Sequence, residues 1–243
     1  LEEIDGQLSF AHFHDDFNSI NEKSWDEYYL YSNGQRYEII SDEKVSRFVG
    51  EYKPEKFLLN LEDPVTFGPV GLPNSYFEFK IDQEKAMERA FDEYKKITGD
   101  FHIISLRDYD LMEKYKSDDA EQIIVIAGSA AGTAKEVVDK LRNEGKKVGL
   151  VKIKLFRPFP RKEIAEALKN AKSVAVLDRA MSFGTNPPLY SEIINSVVGC
   201  ELPVVSYIYG LGGREIFQKN IEKVFNDMIN GRYIEEEKYL NSK

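Results

Sequence analysis

The chain has 243 residues, of which 42% are hydrophobic and 31% charged, the balance of an ordinary water-soluble globular protein. Its formal net charge of -9 argues against a nucleic-acid binder, and no window approaches the ~20 apolar residues that span a bilayer. A single cysteine, Cys200, excludes an internal disulfide and a multi-thiolate metal site and favours a reducing cytoplasm. With Leu1 at the start and no signal-like apolar segment, the sequence reads as a fragment or a processed form.

Residues 1–78 mix aromatics and acids with turn residues such as Ser32-Asn33-Gly34 and sustain no long period. Residues 1–50 are read as the remnant of a preceding domain. The pair His12-x-His14, followed by Asp15-Asp16, has metal-ligand residue types but no third histidine and no helical register, so no metal site is assigned to it. Prolines 54, 64, 69 and 73 make residues 51–78 an extended, wrapping connection with little room for a long helix. Its apolar residues Phe57, Leu58, Leu59, Val65 and Phe67 predict a strap packed on a surface rather than a free tether.

From Phe79 the period changes. Phe79, Gln83, Ala86, Met87, Ala90, Phe91, Tyr94 and Ile97 recur every three or four residues and predict an amphipathic helix stopping near Gly99. Tyr109–Lys116 reads as a short strand. The apolar run Ile123–Ala127 suits a strand covered on both faces, and the Gly128–Thr133 turn leads from it into a helix. Strands are predicted over Gln122–Ala127, Val148–Lys154, Ser173–Leu177 and Val204–Tyr209. Helices are predicted over Thr133–Glu144, Arg161–Asn170, Pro188–Val198 and Gln218–Asn230. Such alternation calls for a three-layer α/β/α domain over residues 79–243, with a mostly parallel five-stranded sheet.

Chemistry in such a domain gathers at the carboxyl edge of the sheet. The Gly128–Thr133 turn lacks the second glycine of a GxGxxG fingerprint, where Ala130 stands, and it does not complete a Walker loop. It reads as a tight turn before it reads as a phosphate cradle. Gly210, Gly212 and Gly213 permit close approach, and the adjacent Arg214 suits a carboxylate or phosphate. A turn at a helix start, with the arginine at a subunit contact, fits equally well. Arg157 follows one strand and Asp178-Arg179 follows another, the latter pair suited to an internal ion pair or to positioning a partner. No nucleophile-base-acid set can be assembled, and nothing beside Cys200 suggests an activated thiolate.

Several segments fall in a recognisable order: Glu51-Tyr52-Lys53-Pro54, Asp63-Pro64-Val65-Thr66-Phe67-Gly68-Pro69, Tyr76-Phe77-Glu78-Phe79-Lys80 and Glu84–Ala90. They continue with Gly128–Lys135, Phe156-Arg157-Pro158-Phe159-Pro160, Val176-Leu177-Asp178-Arg179, Ser182-Phe183-Gly184 and Gly210-Leu211-Gly212-Gly213-Arg214. From Tyr37 to Arg232 the chain resembles the carboxy-terminal part of the alpha subunit of pyruvate:ferredoxin oxidoreductases. The resemblance implies an α/β domain like the carboxy-terminal domain of transketolase. It also implies membership of a thiamine-diphosphate enzyme that decarboxylates a 2-oxoacid, pyruvate first among them, with coenzyme A and ferredoxin.

The family's thiamine-binding GDG motif and cluster-binding cysteine runs are absent here. The resemblance therefore assigns no catalytic, cofactor or metal residue to this region. Thiamine diphosphate, Mg2+ and iron–sulfur clusters are expected in the whole complex. The expected partners are the beta, gamma and delta types of subunit, with no nucleic acid and no membrane. Arg157, Asp178, Arg179, Gly210, Gly212, Gly213 and Arg214 are the candidate domain or subunit contacts. The alternative is a stand-alone anion- or nucleotide-binding α/β module.

Overall fold

The computed structural model describes residues 29–32, 35–38, 40–57, 59–65, 68, 70–232 and 239–241, with backbone alone for 29–38. The His12–Asp16 cluster lies outside the described residues. Two compact units separate at Asp108/Tyr109.

The unit that begins at Tyr109 contains a five-stranded sheet: β3 (Met112–Tyr115), β4 (Gln122–Ala127), β5 (Val148–Ile153), β6 (Ser173–Asp178) and β7 (Val204–Ile208). Their order is β3-β5-β4-β6-β7, with β3 antiparallel to β5 and every other pair parallel. Between the strands run α3 (Ala130–Asn143), α4 (Arg161–Leu168) and α5 (Pro188–Ser196), and α6 (Gln218–Ile229) follows β7.

The apolar runs make β4 and β6 central. Ile123, Ile124, Val125 and Ile126 are all fully buried, which requires cover on both faces. Alternate residues feed two cores. Ile124, Ile126, Leu150, Ala175 and Leu177 pack with Val137, Val138 and Leu141 of α3 and Ile221, Val224 and Phe225 of α6. Ile123, Val125, Val151, Val174 and Val176 pack with Ile164 and Leu168 of α4 and Leu189 and Ile193 of α5. The chain moves outward from β4 to β5 through α3, then back across the sheet through α4 and α5. Crossovers of one hand therefore put α3 on one face and α4 and α5 on the other. The predicted three-layer architecture with a mostly parallel five-stranded sheet forms, in the unit that includes Tyr109 onward, while residues 79–108 belong to the other unit. Beyond α6, Tyr239 bridges Ile208, and the Leu240 N–H donates to the Ile208 carbonyl at 2.8 Å, which extends the edge of β7.

The other unit contains the two-stranded sheet of β1 (Tyr29–Ser32) and β2 (Gln35–Glu38), then α1 (Asp42–Val49) and α2 (Tyr76–Ser105). Between α1 and α2 the described residues form bends and turns without a helix; the connection expected over residues 51–78 ends where α2 begins at Tyr76, and Phe57 and Leu59, expected to pack on a surface, stand largely exposed. The helix expected to stop near Gly99 runs on to Ser105, and Leu106 ends it in the left-handed region at φ 53°. One interior glycine costs about 1 kcal/mol, too little to break a helix whose hydrogen bonds continue on both sides. No residue of α2 is buried. Phe101 meets Phe48 of α1 with ring centroids 5.5 Å apart.

Candidate functional site

Strands β4, β6 and β7 run parallel, so their carboxyl ends at Ala127, Asp178 and Ile208 share one edge of the sheet. The chain leaves β4 toward β5 on one side and returns to β6 on the other, so a topological switch lies between β4 and β6. There a cleft of about 730 Å³ opens. It is lined by Ser129, Ala130 and Thr133 after β4, Arg179 after β6, and Tyr209 with Gly213–Lys219 after β7. The Gly128 and Gly210 turns, far apart in sequence, thus border one space.

Gly128 adopts φ 81°, which turns the chain from β4 directly into α3. The opposite wall is the glycine loop. Gly210 sits at φ 67°, and an added Cβ would come within 3.1 Å of Arg179 Nε. Arg179 Nε donates to the Gly210 carbonyl at 3.3 Å, so the glycine both seats the guanidinium and anchors it. Arg214 Nη1 donates to the Asn241 carbonyl at 3.1 Å. The Tyr209 hydroxyl donates to the Ala127 carbonyl at 3.4 Å, linking the ends of β7 and β4. Burial pushes the Tyr209 pKa up, so this phenol stays protonated.

Asp178 faces the interior. It is 4% exposed, and its two carboxylate oxygens accept the N–H groups of Leu189 at 3.0 Å and Tyr190 at 2.9 Å. Pro188 opens α5 without an N–H, so Asp178 caps the next two donors of that helix start. The backbone holds the carboxylate, and no ion pair joins it to Arg179. Burial raises the Asp178 pKa, and the two N–H bonds offset part of that rise.

Arg157 does not line the cleft. It pairs with Glu192 Oε1 of α5 at 2.9 Å and lies 4.2 Å over the Phe156 ring. Arg161 reaches the same carboxylate at 3.3 Å. Gly210, Gly212 and Arg214 also border a neighbouring hollow of about 530 Å³ with Tyr239, Leu240 and Asn241. Of the predicted contact residues, Arg179, Gly213 and Arg214 meet at the cleft, while Gly210 shapes its wall. Sequence reasoning held Ser129 and Thr133 in a turn ranked as structural ahead of phosphate-binding, and it missed Lys219. Lys219 did carry a signal: a cation in the first turn of α6 opposes the helix dipole. Among the described residues no group of three His, Cys, Asp or Glu side chains could hold a metal ion, and no helix is long and apolar enough to cross a membrane.

Residues 120–221, which include most of this sheet and its carboxyl-edge loops, match the model of pyruvate:ferredoxin oxidoreductase core domain II. The chain belongs to the pyruvate:ferredoxin oxidoreductase family. It is 46% identical over 206 residues to pyruvate synthase subunit PorA of Thermotoga maritima, covering 84% of this chain and 53% of that protein. Against PorA of Methanothermobacter thermautotrophicus the identity is 40% over 187 residues, 77% of this chain and 48% of that protein. Ketoisovalerate oxidoreductase subunit VorA of Pyrococcus furiosus is 39% identical over 194 residues, 79% of this chain and 49% of that protein. The chain thus spans about half the length of these pyruvate and ketoisovalerate oxidoreductase subunits.

Among solved structures, a 2-oxoglutarate:ferredoxin oxidoreductase from Magnetococcus marinus aligns with a TM-score of 0.42 and 22% identity, over 60% of this chain and 23% of that one. A split-gene transketolase aligns with a TM-score of 0.42 and 15% identity, over 51% of this chain and 43% of that one. At these scores neither adds to the family assignment.

Proposed function

We propose that this chain is part of a pyruvate synthase alpha subunit, in a complex that oxidatively decarboxylates pyruvate with coenzyme A to acetyl-CoA, CO2 and reduced ferredoxin. The 46% identity to a pyruvate synthase subunit over 84% of the chain carries the reading. The complex depends on thiamine diphosphate, Mg2+ and iron–sulfur clusters held elsewhere. The described residues of this chain do not fit the clusters or the metal ion. One cysteine cannot ligate a cluster, the GDG motif is missing, and the described side chains assemble no metal-binding triad.

The domain acts through assembly with the beta, gamma and delta types of subunit, and alone it is inactive. Residues 51–78 serve as the strap between domains, and the loops bearing Arg157, Arg179, Gly210–Gly213 and Arg214 hold the neighbours in register. Asp178 supports them from inside by fixing the start of α5. Registration matters because a ~1 Å misplacement of reacting groups costs about 100-fold in rate.

The test is reconstitution of the chain, within its full-length subunit, with the companion subunits. Ferredoxin reduction should require both pyruvate and coenzyme A, and Arg214→Ala should weaken assembly or turnover. Unchanged assembly and kinetics would remove the contact role. Faster turnover of a branched-chain 2-oxoacid than of pyruvate would move the assignment to the ketoisovalerate oxidoreductases, which the 39% identity to VorA makes the second reading.

A further inference from the structure

The cleft at the switch point is a concentration of positive charge in an acidic chain. Arg179, Arg214 and Lys219 all line it, and none of the three pairs with a carboxylate among the described residues. Several other cations of this unit are paired: Lys116 with Asp139, Lys135 with Glu113, Arg142 with Asp119, and Arg157 with Glu192. The terminal nitrogens of Arg179 make no hydrogen bond among the described residues, while its Nε is fixed on the Gly210 carbonyl. A guanidinium anchored at Nε presents its remaining donors as a planar fork, the geometry that oxyanions accept. Glu215 is the one acidic residue on the lining.

The helices give a second, independent indication. Most of the described helices have negative charge at their own starts: Asp42 and Glu43 in α1, Glu78 in α2, Glu163 in α4, and Asp178 at the start of α5. Among the described helices, α3 and α6 have no acidic residue in the first turn and no carboxylate capping their N–H groups, and their first turns both border the cleft. The dipoles of these two helix starts add to the field of the three cations. Ser129 and Thr133 stand beside them as neutral donors. The volume suits a small molecule, and the half-exposed Phe217 ring offers an apolar flank.

We propose that this cleft binds a phosphate-bearing small molecule, its oxyanion held by Arg179 and Lys219 between the starts of α3 and α6, with Arg214 in support. The proposal goes beyond the assembly reading and does not depend on it, because binding is measured on the chain alone.

Calorimetric titration of the 243-residue chain with inorganic pyrophosphate at low ionic strength tests it. Saturable one-site binding is expected, weakened by added salt. Arg179→Gln and Lys219→Gln should each weaken it about tenfold, the scale of one charge-assisted hydrogen bond. Glu215→Gln should tighten it by removing the opposing charge. Circular dichroism checks the fold of each variant. Should Arg179→Gln fail to fold, Lys219→Gln carries the test alone, since its side chain meets only the Phe217 ring among the described residues. No heat at millimolar pyrophosphate, or affinity unchanged in the folded variants, would overturn the proposal.

Discussion

The sheet unit and the long helix α2 contain similar kinds of apolar residue and use them in opposite ways. In the sheet unit, alternate residues of four parallel strands disappear into two cores, where Phe225, Ile124, Leu150 and Leu177 are fully buried. In α2 the stripe of Met87, Ala90, Phe91 and Tyr94 is only partly covered, and Phe77, Phe79 and Ile103 stand exposed. The contrast separates two sources of order. Burial of apolar area holds the sheet unit, whereas local hydrogen bonding and one partial face hold α2.

Urea denaturation followed by hydrogen exchange, which resolves the two regions, can break or sharpen this contrast. Phe225→Ala, a fully buried ring of α6, should cost about 3–5 kcal/mol. Phe79→Ala in α2 should stay within about 0.5 kcal/mol. Equal losses would erase the distinction.

Asp178→Ala should follow, at about 1–3 kcal/mol, because it strands the Leu189 and Tyr190 N–H groups. The pH dependence has a definite sign. Burial raises the Asp178 pKa above its unfolded value, so the folded state binds the proton more tightly. Stability therefore falls as pH rises from the ordinary carboxylate range toward the raised value. Asp178→Asn should flatten that fall, measurable as the midpoint of denaturation against pH.

Two glycines give the same contrast in backbone terms. A Cβ at Gly149 of β5 would lie 2.6 Å from the Lys116 carbonyl oxygen and 2.7 Å from Ser117 Cα. Gly149→Ala should therefore cost about 1–3 kcal/mol. At Gly99 nothing lies within 4 Å, so Gly99→Ala should stabilise α2 by about 0.5–1 kcal/mol.

Tyr115→Phe should cost about 1 kcal/mol through its hydrogen bonds to Asp139. Burial first, then Asp139, pushes the Tyr115 pKa up to about 12. The folded state keeps a proton that the unfolded phenol releases, so stability falls from the ordinary tyrosine pKa up to that value. Absorbance titration of the phenolates should show one fewer late-ionising tyrosine in the variant.

Much of the fold was legible because strand and helix periods are local. Gln122–Ala127 coincides with β4, and the starts of α4, α5 and α6 at Arg161, Pro188 and Gln218 were read as they stand. Gly99 misled because a helix stop was read from one residue whose cost is small beside the hydrogen bonds around it. The site was legible only in pieces. Arg179, Gly210 and Arg214 were candidates for their chemistry, but Asp178-Arg179 suggested an internal ion pair. In the structure the carboxylate points inward to α5, and the guanidinium lies on the Gly210 carbonyl.

By itself the sequence determined the family, the layered α/β class and the strands that must be covered on both faces. Those follow from residue order and from apolar period along a few turns of backbone. Tertiary structure alone decided that the Gly128 and Gly210 turns border one cleft, and that three cations there meet no carboxylate among the described residues. The physical reason is strand order. Placing β4 beside β6 and β6 beside β7 is a long-range outcome of crossover handedness and two-faced packing, which no local window contains.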